Sequence, residues 1–179
     1  NFLIELRSSA NLAGMLAILN EVTPEKKIRD FAFACLRYAK NCSIYYKGVW
    51  FWSEEYVATL CSQGRNLRQL YYAAKILKDK ESMNWLGDFL RSWPFLPEEH
   101  RFIERFIPGV VKEHNRGTPQ PFNMELEGAM DAYLVGKETQ DSLLMERARD
   151  VILNYFLPYQ REDGLWDYGP GRHMEVNYS

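Results

Sequence analysis

Leu12, Met15, Leu16 and Leu19 recur at i, i+3, i+4 and i+7, the spacing of one face of an amphipathic helix. Val22-Thr23-Pro24-Glu25 follows. Thr23 has N-cap chemistry and Pro24 carries the fixed φ of a first helical position, so a second helix starts there. On that helix Ile28, Phe31, Ala32, Cys35, Leu36 and Ala39 share a face, and the pattern fades near Asn41. A polar and aromatic loop over 42–53 then ends in Gly48-Val49-Trp50-Phe51-Trp52.

The same order returns twice. Leu67, Leu70, Tyr71, Ala74 and Leu77 give a helix, Lys78-Asp79-Lys80 a turn, and 83–93 a second helix. Leu126, Ala129, Met130 and Tyr133 begin a third pair, which turns at Gly136-Lys137-Glu138-Thr139. Its partner helix over 142–159 faces inward through Leu143, Leu144, Ala148, Val151, Ile152 and Tyr155. The turn positions Val22, Leu77 and Val135 are 55 and 58 residues apart, and Gly48-Val49-Trp50 precedes Gly164-Leu165-Trp166 by 116. Both markers agree on a period near 58, the signature of stacked helical hairpins.

These patterns predict an all-α fold of tandem hairpins over 12–40, 66–93 and 124–159, a single domain spanning 1–179. An irregular insertion over 95–121, rich in proline, includes a helical stretch from Glu98 to Glu113. Residues 49–52 and 55–60 lean towards β but are short, so no sheet larger than two short strands is expected. Leu16, Leu19, Phe31, Leu70, Ala74, Met130 and Ile152 are the expected core. Lys26, Lys80 and Glu138 belong on exposed turns.

Composition narrows the function. The net charge of −2 lacks the basic footprint of a nucleic-acid binder. No apolar run reaches the roughly 18 residues of a membrane helix. Cys35, Cys42 and Cys61 form no C-x-x-C pair, and His100, His114 and His173 are scattered, so neither metal nor cofactor is implied. The sequons Asn41-Cys42-Ser43 and Asn177-Tyr178-Ser179 are too short to assign a compartment.

Leu134-Val135-Gly136-Lys137-Glu138-Thr139, leading through Glu146-Arg147-Ala148-Arg149-Asp150 to Gln160-Arg161-Glu162-Asp163-Gly164-Leu165-Trp166-Asp167-Tyr168, resembles the α/α-toroid superfamily. There an inner ring of helices is wrapped by an outer ring, usually as six hairpins, and a D-G-x-W loop follows the outer helix. Three hairpins would make half a ring with apolar flanks, which implies a longer chain or a partner copy. Asn1 runs straight into Phe2-Leu3-Ile4, and the chain stops at Val176-Asn177-Tyr178-Ser179, consistent with the first expectation.

The resemblance implies a carbohydrate-active protein, a polysaccharide lyase or glycoside hydrolase, with a glycan as its partner. The loops after the outer helices would line the cleft mouth, and two are aromatic: Tyr45, Tyr46, Trp50, Phe51 and Trp52, then Trp166 and Tyr168. Flat rings with polar edges suit pyranose faces. Trp50 and Trp166 read equally as plugs at hairpin ends, while Trp52 and Tyr168 are the better ligand-facing candidates. Glu54 and Glu55 with Asp163 and Asp167 could supply the paired carboxyls of glycoside hydrolysis, Glu54 with Asp167 first among them. They also fit a helix start after Ser53 and an ordinary turn.

The C-terminal segment carries Arg172, His173, Asn177 and Tyr178. Toroidal lyases use such residues to neutralise a uronate carboxylate and to take the neighbouring proton, which stays unreactive until the carboxylate is neutralised. On a helix His173 and Asn177 would share a face at i, i+4. A non-catalytic α/α binding module is the alternative. The Q-x-x-x-G-x-W pattern from Gln160 to Trp166 also resembles the structural motif of triterpene cyclases. The chain holds no D-x-D-D or D-D-x-x-D, so that likeness supports helix packing more than isoprenoid chemistry, and an isoprenoid cyclase-like protein is the second alternative.

Overall fold

The computed structural model describes residues 2–52, 58–102, 105–106 and 122–166. Three helical hairpins follow one another: α1 (Phe2–Val22) with α2 (Lys26–Asn41), α3 (Leu60–Leu77) with α4 (Lys80–Ser92), and α5 (Phe122–Thr139) with α6 (Ser142–Asp150). A π-helical turn, Val151–Phe156, and a 3₁₀ turn, Leu157–Tyr159, extend α6. The hairpins expected over 12–40, 66–93 and 124–159 are therefore present. α1, α3 and α5 pack side by side as an inner layer, and α2, α4 and α6 lie on its outer side.

Two of the inter-helix turns share one construction. α3 ends at Lys78 in the left-handed conformation, φ 58°, and Asp79 then caps α4 by accepting from the Ser82 N–H. α5 ends at Gln140, also φ 58°, and Asp141 caps α6 by accepting from the Leu144 N–H. In both, the Asp N–H donates back to the helix it leaves, to the Ala74 and Gly136 carbonyls. This moves the third turn from Gly136-Lys137-Glu138-Thr139 to Gln140-Asp141. Gly136 is a contact residue and not a stop: a Cβ there would sit 2.9 Å from the Leu144 Cβ.

The core lies between the layers. Leu67, Leu70, Ala73, Ala74 and Leu77 of α3 meet Leu86, Phe89 and Leu90 of α4, with Ala129, Ala132 and Val135 of α5 beside them. Leu70 and Ala74 are buried as expected, Leu16 and Ile152 are half-buried, and Lys26, Lys80 and Glu138 are exposed.

Three core expectations fail. Leu19, Phe31 (54% exposed) and Met130 face solvent. α1 is apolar on every side, and the side it buries carries Ala10, Ala13, Gly14 and Ala17, leaving Leu12, Met15, Ile18, Leu19 and Val22 exposed. Small residues win that face because the helices come close. A Cβ on Gly14 would meet the Gln69 backbone at 3.1–3.3 Å. Phe31 and Met130 likewise lose to Ala32 and Ala129, one position away.

The described residues also hold three two-stranded sheets. β1 (Ile44–Tyr46) and β2 (Val49–Phe51) form a hairpin in the aromatic loop, β2 within the β-leaning run 49–52, and no sheet among the described residues exceeds the two short strands expected. Lys47 and Gly48 both have positive φ, which a tight two-residue hairpin turn requires. β3 (Ala58–Thr59) pairs with β6 (Arg105–Phe106), and β4 (Phe95–Leu96) with β5 (Arg101–Phe102). No helix starts at Glu98. Residues Pro97–Glu99 make a single 3₁₀ turn, which His100 ends in the left-handed conformation. Residues 103–104 and 107–121 of the expected insertion lie outside the described residues.

Leu70→Ala should cost roughly 2–5 kcal/mol of unfolding free energy in a urea titration, because Leu70 is fully enclosed. Gln140→Gly should add roughly 0.5–1 kcal/mol in the same measurement by relieving the left-handed strain. A loss at position 140 would contradict the turn described.

Candidate functional site

The loops that leave the outer helices carry the aromatic residues, and each ring is placed by local chemistry. In the β1–β2 hairpin, cross-strand partners share a face. Val49 and Phe51 turn inward against α4, so Tyr45 and Trp50 lie on the other face, Tyr45 exposed and Trp50 half-buried at the edge of the core. Their ring centroids are 5.0 Å apart, and Tyr45 is 59% exposed. The Trp50 N–H donates to the Ser92 Oγ at 2.8 Å, tying the hairpin to the end of α4.

Trp52 behaves differently from its sequence-based expectation. It is 0% exposed, packed against Phe89 (4.7 Å) and Trp85 (5.9 Å), and its indole N–H donates to the Ala39 carbonyl at 2.8 Å. It has no face to offer a ligand. Trp166 makes the matching bond, donating to the Phe156 carbonyl at 3.1 Å while stacking on the Phe156 ring at 4.5 Å. Both indoles satisfy carbonyls near the end of an outer helix, where intrahelical donors run out. The structural counterpart of Trp166 is thus Trp52 and not Trp50. Spacing from Gly48 and Gly164 misaligned the pair by two residues.

Of the remaining candidates, Glu54, Asp167, Tyr168, Arg172, His173, Asn177 and Tyr178 lie outside the described residues. Trp52 and Trp166 both anchor near outer-helix C-termini, so each aromatic loop is tied to the outer helix it leaves. The turns joining α3 to α4 and α5 to α6 are polar. A groove of about 430 Å³ there is lined by Lys75, Lys78, Lys80, Met83, Asn84 and Glu138, among others, and no aromatic ring contributes among the described residues.

Hydrophobic patterning alone did not pair the buried charges. At the loop end Arg101 is buried, ion-paired with Glu99 at 2.7 Å and with Glu125 of α5 at 3.8 Å. Beside them the His100 Nδ1 lies 3.0 Å from an Asp150 oxygen. Six residues along α5 from Glu125, or about 9 Å, Asp131 is 1% exposed and accepts from the Arg68 Nε of α3 at 2.9 Å. Arg68 also donates to the Glu127 carbonyl and keeps 22% of its side chain exposed. One signal was readable: Asp131 is the lone charge in the apolar run Gly128-Ala129-Met130-Asp131-Ala132-Tyr133-Leu134-Val135.

Burial pushes the Asp131 carboxyl from its ordinary 3.8 up to about 7; Arg68 draws it partly back and the Glu127 charge adds to the rise. A carboxyl titrating there can hold or release a proton near neutrality, beside a fixed guanidinium. Among the described residues no group of three His, Cys, Asp or Glu side chains is placed to hold a metal ion. No helix among them is long and apolar enough to cross a membrane.

The raised carboxyl has a consequence for stability. Between about pH 4 and 7 the folded state holds a proton that the unfolded chain has released, so Asp131 favours folding fully below that window and loses the advantage as pH rises through it. Wild-type unfolding free energy should therefore fall relative to Asp131→Asn from pH 4 to 7 and run parallel above it. Parallel curves throughout would contradict the buried carboxyl.

No protein-family model matches the chain, and no curated protein sequence matches it. Among solved structures, the crystal structure of D-mannose isomerase is similar, with a TM-score of 0.63 and 14% sequence identity over 83% of this chain. The chain spans 40% of that protein's length. At this identity the likeness is one of fold, and together with the three hairpins it makes the chain an all-α array forming part of an α/α toroid.

Proposed function

We propose that the chain belongs to a carbohydrate-active enzyme that removes a proton next to a sugar carbonyl or carboxylate. The observation that carries this reading is the fold shared with D-mannose isomerase over 83% of the chain. A sugar isomerase moves a proton between neighbouring carbons of an aldose and a ketose. A polysaccharide lyase takes the proton beside a uronate carboxylate. Both reactions need a base on the proton and a cation or donor on the oxygen that gathers charge.

Arg172, His173, Asn177 and Tyr178 supply these residue types, with His173 or Tyr178 as base and Arg172 or Asn177 on the oxygen. The Arg68–Asp131 pair supports the reading from the inner layer, where Asp131 holds a guanidinium that remains partly open to solvent. Glycoside hydrolysis through Glu54 and Asp167 is the neighbouring reaction class. A binding module without turnover is the outcome if every assay is blank.

The test is a substrate panel. Mannose and other aldoses in D₂O would be followed by NMR for hydrogen exchange beside the carbonyl and for ketose. A uronate polymer would be followed by the absorbance of its unsaturated product. Turnover of one of the two is expected, and His173→Ala should lower kcat/KM by about 10²-fold or more with an unchanged melting temperature. Absence of turnover across the panel would overturn the proposal.

A further inference from the structure

We propose that the outward face of the β1–β2 hairpin, the Tyr45–Trp50 ring pair, is a stacking subsite for a saccharide of more than one ring. The inference rests on the carbohydrate reading and extends it from a reaction to a length of substrate.

Strand alternation separates two jobs on this hairpin. Val49 and Phe51 are buried and hold it to the body; Tyr45 and Trp50, paired directly across the strands, occupy the other face. Among the described residues neither the Tyr45 hydroxyl nor the Trp50 indole N–H has a partner, in contrast to Trp52 and Trp166, whose indoles are bonded to carbonyls. The platform thus combines the exposed Tyr45 ring and the solvent-facing part of the half-buried Trp50 ring, tilted 44° to each other, with two open polar edges. A pyranose needs that pairing, because its axial C–H face stacks while its rim of hydroxyls requires hydrogen-bond partners.

The platform is also rigid. The tight turn at Lys47 and Gly48 and the Trp50 N–H bond to Ser92 hold the strands in place, so little ordering cost falls on binding. Its size argues against a protein partner, which needs about 800 Å² on each side for a stable contact, whereas two rings cover one or two sugar units. Its position fits a chain-like ligand. The Trp50 N–H bond to Ser92 sets the platform beside the C-terminal end of α4, with length along the helix end for more than one sugar ring.

The experiment is calorimetric titration of the whole chain with linear hexasaccharides, one of mannose, one of glucose and one of uronate units. The wild type should bind at least one of them. Tyr45→Ala and Trp50→Ala should each weaken that binding at least tenfold, and Tyr45→Phe, which keeps the ring, should weaken it much less. Far-UV circular dichroism and the melting temperature of Tyr45→Ala, an exposed position, guard against a folding defect. Binding left unchanged by both alanine variants, or no binding of any hexasaccharide by the wild type, overturns the subsite. Hexasaccharide binding that depends on both rings, with no sugar turned over, keeps the subsite and sinks the proposed reaction. Turnover with ring-independent binding does the reverse.

Discussion

Everything in this molecule depends on how closely its neighbours can approach α3. That helix sits between α1 and α5 in the inner layer and under α4 of the outer one, so its buried residues serve three interfaces at once. The large side chains Leu67, Leu70, Tyr71 and Leu77 come from α3, and the space for them is made by small residues opposite: Ala10, Ala13, Gly14 and Ala17 on α1, Ala129 and Ala132 on α5. Close-packed interiors accept such large-against-small pairing because it fills volume without strain. One consequence is visible on α1, where the larger apolar residues are left on the outside.

The short turns and the long loops are finished by different means. At the turn end of the second and third hairpins, a left-handed residue and an aspartate cap close the helices in two residues, leaving a short, polar surface. At the loop end the connections are long and must be tied down, and Trp52 and Trp166 do so with indole bonds to the preceding outer helix. Successive outer helices are also linked, Lys40 to Glu81 and Arg91 to Asp141, each joining the end of one to the start of the next. Exposed pairs of this kind contribute little energy, but they repeat the same register between hairpins. Long loops over a rigid frame are where binding chemistry concentrates, and here the frame reserves the aromatic residues for that end.

The inner layer buries charge as well. Arg68 with Asp131, and Arg101 with Glu99 and Glu125, lie where apolar residues would pack with less penalty, since desolvating a pair commonly offsets its attraction. Both groups bridge onto α5, one from α3 and the other from the loop after α4. Glu125 and Asp131, six positions apart, thus place charge on two different sides of α5 where a purely apolar helix interface would have none.

The amino-acid sequence determined the class of the fold. Helical spacing, the Lys78-Asp79-Lys80 turn and the recurring tryptophan loops follow from local rules, and those rules act over a few residues. It also placed the aromatic loops and the exposed lysines of the turns. What it could not decide was which side of an all-round apolar helix is inside. Leu19, Phe31 and Met130 have the right spacing for a core, yet they lost it to alanines because the approach of a neighbouring helix, and not hydrophobicity, chose the face. The same limit hid the role of Trp52: within Trp50-Phe51-Trp52 strand alternation points one ring out and the loop beyond turns another in, and the tertiary structure alone supplies the Ala39 carbonyl that the second one needs. Arg68 and Asp131, 63 residues apart, became a pair only when α3 and α5 were laid side by side.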